Sequence, residues 1–319
     1  MTFSIVQIIV GLFALTYGAD RFVDGASGIA TALKVPTLLI GLTVVAFATS
    51  APELIVSATA AINGNPGLAL GNAIGSNIAN VALVLGTTAL IIPLVVKSST
   101  LNKEFTALWL VILLSVYILH DLQLTKNEGY LMILGLCLFM FWVIVDGLNQ
   151  SAIQPTDNDS TSITIGAAIF LTLLGLVLLV FGGRWLVDGA VKMAQYFGVS
   201  DTVIGLTIVA IGTSLPELAA SLAGAIKGKP DIAIGNIIGS NVFNLLGVIG
   251  IAGAIAPFSF NQELVLRDFA LMCAVTILLF AVLLWQKMSK KTIQLKRQHG
   301  IIFLIIYLGY LAYLIMLSQ

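Results

Sequence analysis

The chain has 319 residues, of which 59% are hydrophobic and 9% charged, with a mean hydropathy of +1.06. A soluble domain carries roughly a quarter charged residues, and apolar runs of about 20 residues are helix-length rather than the short alternating segments of a barrel. What is left is an all-α polytopic membrane protein in a lipid bilayer; its fifteen basic and fifteen acidic residues cancel and offer nothing to nucleic acid.

Ten spans are predicted. The first, 3–32, is longer than a bilayer requires and should tilt or protrude. Its opening run, Phe3 to Gly18, lacks the basic segment of a signal peptide and reads as mature helix. The second, 37–63, contains GLTVVAFATSAPE (Gly41 to Glu53), and the third, 67–95, contains GNAIGSNIAN (Gly71 to Asn80). The fourth and fifth, 104–120 and 129–148, are apolar; Cys137 reads as an inert thiol and His120 as a helix-end residue. Gln150 to Ser162 is a polar, acidic linker. The sixth span, 163–196, is again long. The seventh, 201–226, contains GLTIVAIGTSLPE (Gly205 to Glu217), and the eighth, 231–257, contains GNIIGSNVFN (Gly235 to Asn244). The ninth, 265–286, holds Cys273, and the tenth, 300–318, follows a basic break that includes His299.

Shifting the sequence by 164 residues aligns Gly18–Gly86 with Gly182–Gly250 without a gap, and 33 of the 69 pairs are identical. Each half holds five spans. Five is odd, so the second half enters the membrane from the opposite side, an inverted repeat typical of secondary transporters. The expected units are a first repeat (1–149), a cytoplasmic linker (150–162) and a second repeat (163–319). Placing both termini outside an inner membrane puts ten loop cations, among them Lys34, Lys97, Lys103, Lys227 and Lys229, in the cytoplasm against three outside (Lys126, Lys192 and Arg267).

Glu53 and Glu217 are the acidic residues in the middle of spans, where a carboxylate costs several kcal/mol and marks function. Pro52 and Pro216 precede them and each removes a helical hydrogen bond. The helices should open there and free carbonyls around Ala46–Ala48 and Ala210–Gly212, beside the hydroxyls of Thr49, Ser50, Thr213 and Ser214. Such oxygens suit a hard cation such as calcium or sodium; no His or Cys cluster competes for a softer metal. Ser76, Asn77, Asn80, Ser240, Asn241 and Asn244 could complete the coordination, and flanking glycines let helices approach. A proline kink, a glycine packing face or a protonated glutamate each has a purely structural reading, but their recurrence 164 residues apart does not. Arg21 with Asp24, and Arg184 with Asp188, are spaced as structural pairs on a helix face.

At these residues the sequence resembles the sodium/calcium exchanger branch of the calcium/cation antiporter superfamily, over essentially the whole chain. The resemblance implies a diamond formed by the second, third, seventh and eighth helices, with the first and sixth sliding across it. It implies Glu53 and Glu217 as central calcium ligands, Thr49 and Thr213 as hydroxyl and carbonyl ligands, and Ala46 and Ala210 as carbonyl ligands. Ser50, Ser214, Ser76 and Ser240 would serve flanking sodium sites, with Asn80 and Asn244 lining the centre. Ala48 stands where the family has glycine. Asn244 stands where some relatives carry Asp, which argues against the potassium-dependent subtype. Two ionised glutamates match one calcium or two sodium ions, so an unloaded site should resist crossing. The expected function is sodium-driven calcium antiport by a monomer, without a cofactor and without enzymatic activity. Calcium/proton exchange is the alternative, since a buried glutamate can carry a proton; a cation channel is a third reading.

Overall fold

The computed structural model describes residues 1–151, 163–199, 204, 207–208, 210–289 and 292–317. Nine helices among them are long and apolar enough to cross a bilayer: α1 (Thr2–Leu33), α2 (Thr37–Ile62), α3 (Pro66–Ile91), α4 (Ser98–Leu119), α5 (Lys126–Asn149), α6 (Ile165–Tyr196), α8 (Pro230–Ile255), α9 (Leu264–Met288) and α10 (Arg297–Leu317). Between α6 and α8 stands the shorter α7 (Leu215–Ile226), preceded by a single turn at Ala210–Thr213. The linker residues 152–162 lie outside the described residues, as do Gly205, Leu206 and Val209 of the seventh-span motif.

Chain parity makes α7 a crossing as well. Strand β1 (Leu94–Val95) follows α3, and β2 (Gln123–Leu124) follows α4. Strand β3 (Phe258–Ser259) follows α8, and β4 (Gln294–Leu295) precedes α10. β1 pairs antiparallel with β4, and β2 with β3. Paired connectors share one side, so an even number of crossings separates them, which requires α7 to be one of them. Among the described residues the fold is therefore ten crossing helices in two halves. Each half's connector strands pair with the other half's, as an inverted repeat exchanges them.

Two helices end earlier than their apolar runs. α3 stops at Ile91 rather than 95, because Ile92 (φ −132°, ψ 119°) precedes Pro93 and is pushed out of the helical region. α8 stops at Ile255 rather than 257 for the same reason, with Ala256 (φ −138°, ψ 100°) before Pro257.

The long helices α1 and α6, of 32 residues each, run some 48 Å at 1.5 Å per residue, well beyond a bilayer core. They pack antiparallel along glycines seven residues apart: Gly11, Gly18 and Gly25 against Gly175, Gly182 and Gly189. A Cβ on Gly182 would lie 2.8 Å from the Gly11 carbonyl oxygen, so the backbones touch directly. This is the small-residue mode of packing in lipid, where burial of apolar surface supplies no driving force.

The loop after α7 clips α1 to the rest of the bundle. Lys227 Nζ lies 2.6 Å from both Asp20 and Asp24, and Lys229 donates to Ser27. These lysines read as simple topology determinants in the sequence, yet they tie α1 down. Arg21 does reach Asp24, at 3.8 Å. Arg184 and Asp188, expected to pair likewise, form no ion pair within 4.0 Å, and in the repeat Asn63 and Asn65 replace the two lysines. The clip belongs to one half only.

Candidate cation site

α2, α3, α7 and α8 meet in the middle of the bundle, and their polar residues face one another. Glu53 is 2% exposed and Glu217 1%, so both carboxylates lie in low dielectric. Thr49, Ser50, Ser214, Ser240, Asn80 and Asn244 are buried beside them, as is Ser76. Glu217 lies in the field of Glu53 and beside the Thr49 and Ser50 hydroxyls, although neither of its carboxylate oxygens meets hydrogen-bond geometry.

The helices are opened in different ways. In α2 the backbone widens into a π-turn at Gly41–Val45 and then runs as regular helix from Ala46 to Ile62, straight through Pro52. The expected break at the proline is therefore absent from the first half. The extra residue, two turns or more before the proline, provides the irregularity, a device common at functional sites. In the second half the chain does break, at Ser214 (φ −91°, ψ 4°), with Pro216 entering the first turn of α7. α3 and α8 widen at repeat-equivalent places, Asn80–Leu85 and Phe243–Val248, so Asn80 and Asn244 both sit in π-turns.

Asn236, which the sequence reading did not single out, is the hub. Its Oδ1 accepts from Thr49 Oγ1 at 3.0 Å and from Ser240 Oγ at 3.5 Å. Its Nδ2 donates to the Glu217 carbonyl at 3.3 Å and to Ser221 Oγ at 3.0 Å. It thereby fixes α2, α7 and α8 together. Among the described residues the repeat-equivalent Asn72 donates to Ser57 alone, at 3.3 Å. Identity of Ser57 with Ser221 and of Asn72 with Asn236 across the repeat, inside apolar spans, was the available signal. Asn236→Ala is expected to lower stability by about 1–3 kcal/mol more than Asn72→Ala, read as the difference in thermal unfolding of the two variants in detergent.

Asn241 joins α3 to α8. Its backbone carbonyl accepts from Asn77 Nδ2 and its Oδ1 from Asn80 Nδ2, both at 3.2 Å. Asn77 and Asn241 are repeat mates, so the internal pseudo-twofold axis passes between them. Thr213 is half-buried in the turn before Ser214 and has contacts of its own. Ala46 is fully buried; Ala210 opens the same turn as Thr213, and its side chain lies outside the described set.

Eight buried oxygens here have no hydrogen-bond partner among the described residues: Ser50 Oγ, Glu53 Oε2, Asn77 Oδ1, Asn80 Oδ1, Ser214 Oγ, both Glu217 carboxylate oxygens and Asn244 Oδ1. Buried polar atoms without partners are rare in native proteins, and all eight can coordinate a hard cation. Inverted halves, helices opened at mid-span and facing carboxylates with unsatisfied oxygens define a secondary transporter of cations.

Comparison with known proteins narrows that class. Residues 3–145 and 167–316 match the family described as sodium/calcium exchanger protein. The CaxA protein of Alkalimonas amylolytica is 45% identical, over 97% of this chain and 98% of its own length. Inner membrane protein YrbG of Escherichia coli is 37% identical over 90% of each chain. The solved structure of the sodium-calcium exchanger NCX_Mj soaked with zero Na+ and Ca2+ superposes with a TM-score of 0.83 at 32% identity, over 98% of this chain and 99% of that one. The chain belongs to the sodium/calcium exchanger family and is a membrane cation antiporter.

Proposed function

We propose that the protein exchanges sodium for calcium across the cell's inner membrane by alternating access, with both termini outside. Glu53 and Glu217 are the calcium carboxylates. Thr49, Thr213, Ala46 and Ala210 supply hydroxyl and carbonyl oxygens, Ser50, Ser214, Ser76 and Ser240 serve flanking sodium positions, and Asn80 and Asn244 line the centre. The observation that carries this reading is the set of eight buried, unpartnered oxygens, three of them on carboxylates. Two carboxylates balance one calcium ion or two sodium ions, whereas the bare pair resists passage through the closed intermediate. Obligatory exchange follows from that charge balance, and the named exchangers among the similar proteins support sodium as the counter-ion.

Proteoliposomes test it. An outward sodium gradient should drive radiolabelled calcium uptake, and a sodium ionophore should stop it. Uptake that needs a pH gradient and ignores sodium would assign a proton as the counter-ion and overturn the proposal.

In this reading α1 and α6 slide across the four-helix core, and the Lys227 clip must release with each cycle. Its carboxylates are 42% and 35% exposed, and such ion pairs contribute at most about 1 kcal/mol. Lys227→Met is therefore expected to raise the exchange rate by no more than about fivefold, without changing the calcium concentration at half-maximal rate.

A further inference from the structure

One of the unpartnered oxygens at the site is left unused by the transport reading. Asn77 Oδ1 is buried and accepts no hydrogen bond from the described residues, yet Asn77 is not among the ligands proposed above. Its Nδ2 is engaged twice, donating to the Asn241 backbone carbonyl at 3.2 Å and to Met272 Sδ at 3.6 Å. The side chain is therefore held in one orientation, with its acceptor oxygen left over.

An amide that lines a cation site has a right and a wrong way round. Its oxygen attracts the ion and its NH2 group repels it, so the nitrogen must rest on an acceptor turned away from the ion. Asn241 does this for Asn80. Asn80 Nδ2 donates to Asn241 Oδ1 at 3.2 Å, and Asn80 Oδ1 is left buried and unpartnered, as a ligand would be. Exchanging the two halves of the repeat turns Asn80 into Asn244 and Asn241 into Asn77. The counterpart bond, from Asn244 Nδ2 to Asn77 Oδ1, is not made: Asn77 Oδ1 and Asn244 Oδ1 both lack a partner. The halves share these residues but not their bonding, so one side of the pseudo-twofold axis is locked and the other is not.

We propose that Asn77 and Asn241 are the positioning residues of the two central amides and that they work alternately. In the state described here Asn241 holds the Asn80 amide with its oxygen toward the cation. In the state open to the opposite membrane face Asn77 holds the Asn244 amide in the same way, and Asn80 is released. Alternating access moves one part of such a fold against another around a fixed site, and the matched sequences give each half the other's bonding as its second arrangement. Both roles rest on the reading that Asn80 and Asn244 line a cation site. The backbone carbonyl through which Asn77 holds α8 is present whatever residue stands at 241, which leaves the Asn241 side chain to orientation alone.

The test uses the full-length protein inserted in one orientation in proteoliposomes, exchanging radiolabelled calcium for calcium without sodium. The calcium needed for half-maximal rate is read separately at each membrane face. Asn241→Ala should raise it about fivefold at one face, and Asn77→Ala about fivefold at the other. Added to Asn80→Ala, the first substitution should cost no more than about twofold, and so should the second when added to Asn244→Ala. Asn77→Ala also removes a bond that holds α8, so a merely structural effect would persist in the Asn244→Ala background. The Asn241 arm stands by itself, because its substitution keeps the backbone acceptor of Asn77. Effects at the same face, no effect of Asn241→Ala, or full additivity with the Asn80 and Asn244 substitutions would overturn the proposal. Asn80→Ala and Asn244→Ala that leave calcium affinity unchanged would instead remove both residues from the site, and the positioning roles with them. With sodium absent, a failure of sodium coupling leaves every one of these readouts in place.

Discussion

Glu217→Gln and Glu53→Gln are each expected to reduce sodium-driven calcium uptake by at least about 100-fold. Removing one charge leaves a single carboxylate facing a divalent ion in a site where both glutamates are at most 2% exposed. The loaded site would then hold a net positive charge away from water, and an uncompensated buried charge costs about 3–5 kcal/mol. Each 1.4 kcal/mol is a factor of ten, so two to three decades of affinity disappear. Gln preserves shape and one carbonyl oxygen, so the loss reports charge rather than packing. Calcium binding to the purified variants separates this from a folding defect, since the protein should still elute as a monodisperse species. Residual uptake above a tenth of wild type in either variant would mean that the two carboxylates do not share one ion.

The repeat made most of this arrangement legible without coordinates. Identity at Glu53 and Glu217, at Ser76 and Ser240, and at Asn80 and Asn244 marked residues under a common constraint, and the fold gathers all of them onto four helices around one centre. What stayed hidden were consequences of tertiary contact. Pro52 predicts an opened helix from its missing N–H, but α2 places its irregularity two turns or more before it, as a π-turn that no single residue type encodes. Asn236 matched its repeat mate and looked like one more small polar residue; only the crossing of α2, α7 and α8 gives it four partners. Lys227 is indistinguishable in sequence from any cytoplasmic loop lysine until α1 brings Asp20 and Asp24 to it.

Gly175→Ala should be among the most damaging single substitutions in the chain, despite lying in a helix that contributes no ligand. A Cβ there would stand 2.4 Å from the backbone nitrogen of Phe22 and 2.7 Å from the carbonyl oxygen of Gly18. Both obstacles are main-chain atoms, so no rotamer change relieves the clash, and α1 must move away from α6. Overpacking of this kind costs about 1–3 kcal/mol even where the core can adjust, and here the whole α1–α6 contact must widen. That contact also carries Gly11 and Gly18 against Gly182 and Gly175, so separation at one level loosens its neighbours. The same methyl at Gly309 of α10, where a Cβ meets nothing within 4 Å among the described residues, serves as the control. Thermal unfolding in detergent should show Gly175→Ala destabilised by about 1–3 kcal/mol and Gly309→Ala close to wild type. In proteoliposomes the folded fraction of Gly175→Ala should bind calcium normally yet exchange it slowly, because its central oxygens are intact while the paired helices no longer move as one body. Equal stability and equal exchange rates in the two variants would mean that the glycine seam is not what holds α1 to α6.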